Sequence, residues 1–278
     1  MKAVICAIAK CENEYINNWV NYHLNLGFDE IYLFDNNDAD YEPVENRIHI
    51  NPEYKGRVII QKIPGVRRWK SSDKFGFQAK LYTYFYKNHK NKFDWCAFID
   101  IDEFITLEKW PDIKSFLSDP MFKGYPVIRL NWHMYGDDDM VARDVSVPVW
   151  QAITHRLKGH RYEHDGKEIV RGGLSNVSIA SCHYCTIRNC IPKQIMPNGK
   201  TTKAKGSCTG ETYNNLPNCE EAYIRHYMTK TLDEFINSKL QRGSDAVFLD
   251  KKIDFDYFWQ VNKKTPEKLE YIKQWRES

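Results

Sequence analysis

The 278-residue chain predicts an α/β fold: a mostly parallel central sheet flanked by helices, with further helices at the C-terminal end. Three observations predict it. A strand, helix, strand series with short connections opens the chain, several apolar runs end directly in carboxylates or amides, and helix-start signals return after residue 230.

Val4 to Ala9 is an apolar run rich enough in β-branched residues to be a buried strand, and it stops at Lys10-Cys11-Glu12-Asn13-Glu14. In the helix that follows, Ile16, Trp19, Val20, His23 and Leu24 form one stripe and Gly27 is placed as the stop. Ile31 to Phe34 reads as the second buried strand, ending in the turn-forming cluster Asp35-Asn36-Asn37-Asp38. Short connections between these elements imply a right-handed crossover and parallel pairing. A third strand is expected over 56–63, closed by Pro64-Gly65, and a helix over 75–88. The fourth strand, Trp95 to Ile99, is the most apolar, and Asp100-Ile101-Asp102-Glu103 follows at once. A fifth, Val127 to Leu130, leads through Trp132 to Gly136 and then Asp137-Asp138-Asp139. Periodicity weakens beyond 150, and 182–222 reads as a long loop or a set of short strands. Thr231-Leu232-Asp233-Glu234 is a capping box opening a helix with Leu232, Phe235, Ile236 and Leu240 on one face, and Thr265-Pro266 opens the last helix.

Composition excludes disorder: 42% of residues are hydrophobic, 28% charged and 14% aromatic. No stretch approaches the roughly 20 apolar residues of a membrane span, and the first apolar run is too short for a secretion signal. The expectation is a cytoplasmic protein, at most in peripheral contact with the inner face of a membrane. Without a linker or repeat, 1–278 reads as one domain. The net charge of +3 conceals blocks of −7 over 1–45, +10 over 46–92, −6 over 93–150 and +7 over 151–210. Arg67-Arg68-Trp69-Lys70, Lys74 and Lys80 fall in the first basic block. Lacking any nucleic-acid module, that block is better suited to a diphosphate or an anionic acceptor than to nucleic acid.

Asp100 and Asp102 carry the strongest chemical signal. Two carboxylates one residue apart, past a buried strand, can both turn toward the crevice at the sheet's carboxyl edge. Hard divalent cations take such oxygen ligands and complete their shell with substrate phosphates. Lys10 to Glu14 and Asp35-Asn36 would sit beside them at the same edge, where side-chain oxygens and amides suit a ribose or a base, although ordinary turn chemistry also explains them.

The run from Lys10 to Gly27, the run Tyr32 to Asn37, Trp95 to Phe104 with its Asp-Ile-Asp-Glu-Phe core, and Ile224 to Phe235 with Lys239-Leu240-Gln241-Arg242-Gly243 together resemble the family 92 and family 2 related glycosyltransferases of GT-A fold. The resemblance implies a single catalytic domain over 1–278, with a nucleotide-sugar-binding half to 135 and an acceptor-binding half from 136, acting as a hexosyltransferase on a UDP-sugar donor with Mn²⁺ or Mg²⁺ as cofactor. Asp100 would lie near ribose and metal, Asp102 would ligate the metal directly, and His226 or His183 would add to its shell. Lys10, Glu14, Asp35, Asn36 and Gln78 would line the donor site, although the group's Lys-Asn-Glu is interrupted here by Cys11-Glu12. In an inverting transfer a carboxylate takes the acceptor's proton, and Asp137, Asp138 and Asp139 are the candidates. The acceptor would be a saccharide or lipid-linked oligosaccharide, as in surface polysaccharide synthesis.

Two other readings compete. A nucleotidyltransferase also uses paired carboxylates, but Lys10-Cys11-Glu12 makes a poor phosphate loop. Cys182, Cys185, Cys190 and Cys208 with His183 have donors for a structural Zn²⁺ in a binding module, against which stands the use of buried thiols as small apolar groups.

Overall fold

A computed structural model describes residues 1–63, 76–203, 219–242 and 253–278. The strands are β1 (Ala3–Ala9), β2 (Glu30–Asp35), β3 (Val58–Lys62), β4 (Trp95–Phe98), β5 (Glu103–Leu107), β6 (Val127–Met134), β7 (Gly166–Arg171), β8 (Val177–Ser181), β9 (Tyr184–Ile187), β10 (Gln194–Ile195), β11 (Thr201–Thr202) and β12 (Ala222–His226). The helices are α1 (Asn13–Asn25), α2 (Phe77–His89), α3 (Ile113–Leu117), α4 (Val149–Ala152), α5 (Leu232–Glu234), α6 (Phe255–Phe258) and α7 (Pro266–Glu277). The expected α/β architecture is present.

The main sheet runs β11-β10-β6-β7-β4-β1-β2-β3, with β5 and β12 attached beside β6. β1 pairs in parallel with β2 and β4, and β2 with β3. β7 is antiparallel to both β4 and β6, so β6 points the same way as β4. The long β6 pairs with β10 through Val127 and Ile128, then with β12 through Trp132 to Met134. The carboxyl ends of β1, β2, β4, β6 and β12 therefore share one edge of the sheet, together with the starts of β5 and β7.

Side-chain alternation explains why β1 is apolar throughout. Ala3, Ile5, Ala7 and Ala9 pack into the core on one face, while Val4 and Cys6 pack with Phe34, Phe85 and Phe98 on the other. The α1 stripe of Ile16, Trp19, Val20, His23 and Leu24 is buried in the first of these layers. Trp19 Nε1 donates to the Glu103 carbonyl at 2.8 Å, tying α1 to the start of β5. His23 lies wholly inside, and burial pushes its imidazole down to about 3, so it is a neutral packing group there. Gly27, at φ +101°, follows α1 in a conformation that strongly favours glycine.

Several sequence expectations change in extent. The fifth strand runs on to Met134, and β5, β7 and β12 appear where no strand was expected, because charged residues interrupt their apolar pattern. The 182–222 region contributes short strands, as one of its two readings held. Arg67, Arg68, Trp69, Lys70 and Lys74, the Pro64-Gly65 stop and Phe75 lie outside the described residues. The capping box at Thr231 forms, but the helix continues as a π turn over Phe235–Leu240.

β7 crosses β6 so closely that a Cβ at Gly166 would lie 1.9 Å from the Leu130 carbonyl oxygen and 2.8 Å from Asn131 Cα. Backbone cannot yield as a flexible side chain does. Gly166→Ala is expected to cost about 1–3 kcal/mol, read as a lower thermal unfolding midpoint. An unchanged midpoint would refute the close approach.

Candidate active site

The shared edge gathers side chains from distant parts of the chain. Asp100 and Asp102 lie in the turn between β4 and β5, Glu103 opens β5, and Lys167 enters from β7. His226 closes β12 opposite Glu103 in the antiparallel register. Lys230 follows β12, Lys239 lies in the π turn after α5, and Arg242 comes just beyond that turn.

Asp100 is held from two sides. Lys167 Nζ lies 2.6 Å from its Oδ2, and Gln78 Nε2 donates to its Oδ1 at 2.5 Å. Glu103 Oε2 accepts from the Asp100 amide at 2.9 Å, while Lys167 also faces Glu103 Oε1 at 3.6 Å. Burial disfavours ionised Asp100, but Lys167 outweighs it and the carboxyl sits below its usual range. Glu103 is fully inside; burial, with Asp100 and Asp102 nearby, pushes its carboxyl well up despite Lys167.

Asp102 is the more enclosed of the two aspartates, its side chain 5% exposed against 32% for Asp100. Lys239 Nζ donates to Asp102 Oδ2 at 3.0 Å, and His226 Nε2 faces Oδ1 at 3.7 Å, beyond hydrogen-bond reach. Burial works against the carboxylate, yet Lys239, His226 and Lys230 hold it well below the usual range. Burial also lowers His226, so its ring is neutral and can offer a lone pair. Its Nδ1 is buried without a hydrogen-bond partner among the described residues, and Trp132 packs beside the ring with centroids 4.2 Å apart.

A second ionic cluster adjoins the first. Glu12 is buried and takes Arg242, which also donates to the Lys10 carbonyl at 3.1 Å, and Lys230 at 3.5 Å. Lys230 Nζ lies 4.1 Å from the centre of the Tyr15 ring. The chain from residue 230 to 242 thus supplies three cations to carboxylates far earlier in the sequence, two to Glu12 and one to Asp102.

The remaining predicted residues are distributed as follows. Lys10 pairs with Asp38 at 2.8 Å at the β1 exit. Glu14 is exposed on α1 and faces Arg47 at 3.8 Å; the buried carboxylate of this segment is Glu12. Both oxygens of Asp35 accept backbone N–H groups, of Asn37 and Val44, each at 3.1 Å, and the Asn36 amide donates to Ala9 at 2.8 Å. Gln78 positions Asp100. His183 packs near Trp132 with Nδ1 3.6 Å from Asp165, and burial pushes it down to about 4. Beyond β6, Asp137 is buried in an ion pair with Lys268 of α7 at 2.5 Å. Asp138 accepts from the Thr154 amide at 2.7 Å and lies 3.1 Å from His155 Nδ1, and Asp139 is half exposed.

Sequence reasoning passed over Lys167 and Glu103 as site residues. Lys167 follows Gly166 in a stretch without periodicity, and only pairing of β7 with β4 and β6 brings it to Asp100. Among the described residues, no three His, Cys, Asp or Glu side chains gather as a ready metal cage. Cys185 is buried and donates its amide to Glu168 at 2.7 Å, Cys190 is exposed, and Cys208 lies outside the described residues, so the zinc reading gains no ligand set here.

The sequence matches the family model described as Glycosyltransferase family 92 over residues 5–277. A glycosyltransferase family 92 protein of Ricinus communis is 22% identical over 134 residues, which cover 48% of this chain and 22% of that protein's length. Among solved structures, the crystal structure of a mycobacterial protein aligns at 15% identity and a TM-score of 0.31, covering 61% of this chain and 53% of the other. With the family match spanning nearly all of its length, the chain belongs to glycosyltransferase family 92.

Proposed function

We propose that the chain transfers a hexose, galactose on the family resemblance, from a UDP-sugar to a saccharide acceptor, using Mn²⁺ or Mg²⁺ and inverting the anomeric centre. The observation that carries this reading is the convergence of Asp100, Asp102 and His226 with Lys167, Lys230, Lys239 and Arg242 on one sheet edge. The donor set fits a hard divalent ion. It consists of two groups, Asp102 and His226, which face each other at 3.7 Å, with Lys239 on the other Asp102 oxygen; the donor's phosphate oxygens would complete the shell, and Asp100 is held beside it by Lys167 and Gln78. When bound there, such an ion supplies Lewis-acid stabilisation of charge on the leaving diphosphate.

The chain's own groups do the rest. Lys167 and Gln78 fix the Asp100 carboxylate, and the cations of 230–242 offset the buried carboxylates, so that the edge does not repel a diphosphate. Asp138 or Asp139 takes the proton from the attacking hydroxyl, whereas Asp137 staples α7 to the end of β6. A lipid-linked oligosaccharide is the acceptor class proposed, met at the cytoplasmic face of a membrane. Among the described residues no helix is long and apolar enough to cross one.

Calorimetry with UDP in the presence and absence of Mn²⁺ tests the reading. Binding is expected to need the metal and to be lost in Asp102→Asn, with turnover falling about 10²–10³-fold. UDP binding indifferent to both would overturn it. Asp138→Asn and Asp139→Asn are expected to separate by kcat: the base loses about 10²–10⁴-fold with little change in KM. If both retain full kcat, the base lies elsewhere. Lys268→Met leaves Asp137 buried without its partner and should cost about 3–5 kcal/mol of stability by denaturant unfolding; a neutral result would remove the proposed staple.

A further inference from the structure

We propose that Lys239 is an exchangeable counter-ion: it neutralises Asp102 while no divalent ion is bound, and moves to the donor's diphosphate oxygens when a divalent ion takes that carboxylate. The inference rests on the metal-dependent, nucleotide-sugar reading above and assigns a positioning role within it.

The lysines around the carboxylates differ in how they are held. Lys167 is 1% exposed, with Asp100 and Glu103 both facing its Nζ, so it is a fixed part of the wall. Lys239 is 13% exposed and reaches Asp102 from the π turn, with the Met228 carbonyl at 2.5 Å as its other acceptor and the Tyr257 ring centre 5.7 Å away. Its contact is to Oδ2, while Oδ1 faces His226 Nε2 at 3.7 Å. The ammonium therefore balances the same carboxylate that, with His226, has the donors for a divalent ion. A second, doubly charged cation at this buried carboxylate repels the ammonium, whose four-carbon stem can swing. Arg242, one turn further on, is committed to Glu12 and the Lys10 carbonyl and has no such exchange. A diphosphate arriving with the ion supplies the oxygens that receive Lys239, so charge is balanced before and after.

Competition and assistance predict opposite effects of one substitution. In Lys239→Met, binding of Mn²⁺ alone, followed by electron paramagnetic resonance of the free ion, is expected to tighten about tenfold, and UDP binding at saturating Mn²⁺ to weaken about tenfold. Lys239→Arg, which keeps the charge, should bind Mn²⁺ much as the wild-type protein does. Unchanged or weaker Mn²⁺ binding in Lys239→Met overturns the proposal, and so does unchanged UDP binding. Acetic anhydride labelling of the wild-type protein, read by mass spectrometry, tests it without a substitution. Mn²⁺ alone should raise labelling of the Lys239 amine, and Mn²⁺ with UDP should suppress it; labelling indifferent to both is an overturning result. Loss of Mn²⁺-linked UDP binding in the wild-type protein would instead remove the underlying reading.

Discussion

Four carboxyl groups, Glu12, Asp100, Asp102 and Glu103, lie at one sheet edge, three of them almost wholly out of water. Unpaired, such charges cost far more than a folded domain can sustain. Lys167, Lys230, Lys239 and Arg242 answer them, each from an element that the carboxylates' own strands do not contain. The requirement reaches across the whole molecule: Arg242 and Glu12 stand 230 residues apart, and Lys239 and Asp102 137. The C-terminal segment has to close over the opening strand-helix unit for the edge to be electrically tolerable.

Sheet geometry decides which groups meet. Antiparallel pairing sets His226 against Glu103, hence beside Asp102, and parallel pairing with β6 sets it opposite Met134, where its ring packs beside Trp132. β7 delivers Lys167 because it is antiparallel to both neighbours, so its first residues arrive at the edge where β4 ends. The glycine before Lys167 allows that approach, since any side chain there would meet the Leu130 carbonyl. Along the same edge Lys167 is almost wholly buried, whereas Lys239, in the π turn, is 13% exposed.

Legibility in the sequence followed chemical contrast. β1, β2 and β4 stood out because parallel strands buried on both faces are apolar throughout, and their ends were marked by the polar residues that stop them. The α1 stripe and the Thr231 capping box were readable because their signals are local and periodic. β5, β7 and β12 were not, because they carry buried Glu103, Lys167, Glu168 and His226, polar groups tolerated inside only through partners far away in sequence. The same cause explains Glu12 and Glu14. Both are acidic residues at the start of α1, and only the fold turns one toward Arg242 and leaves the other facing solvent.

The sequence by itself determined the α/β class, the carboxylate pair after the most apolar strand, and four motifs in an order that resembles a glycosyltransferase family. These are properties of short windows, where hydrophobic periodicity and side-chain chemistry act without knowledge of the rest of the chain. The tertiary structure alone decided that Asp100 belongs to Lys167 and Asp102 to Lys239 and His226, and that Asp137 is paired with Lys268 while Asp139 stays half exposed. Such pairings depend on strand order and register, and on the free energy of burying opposite charges together, which no window of the sequence contains.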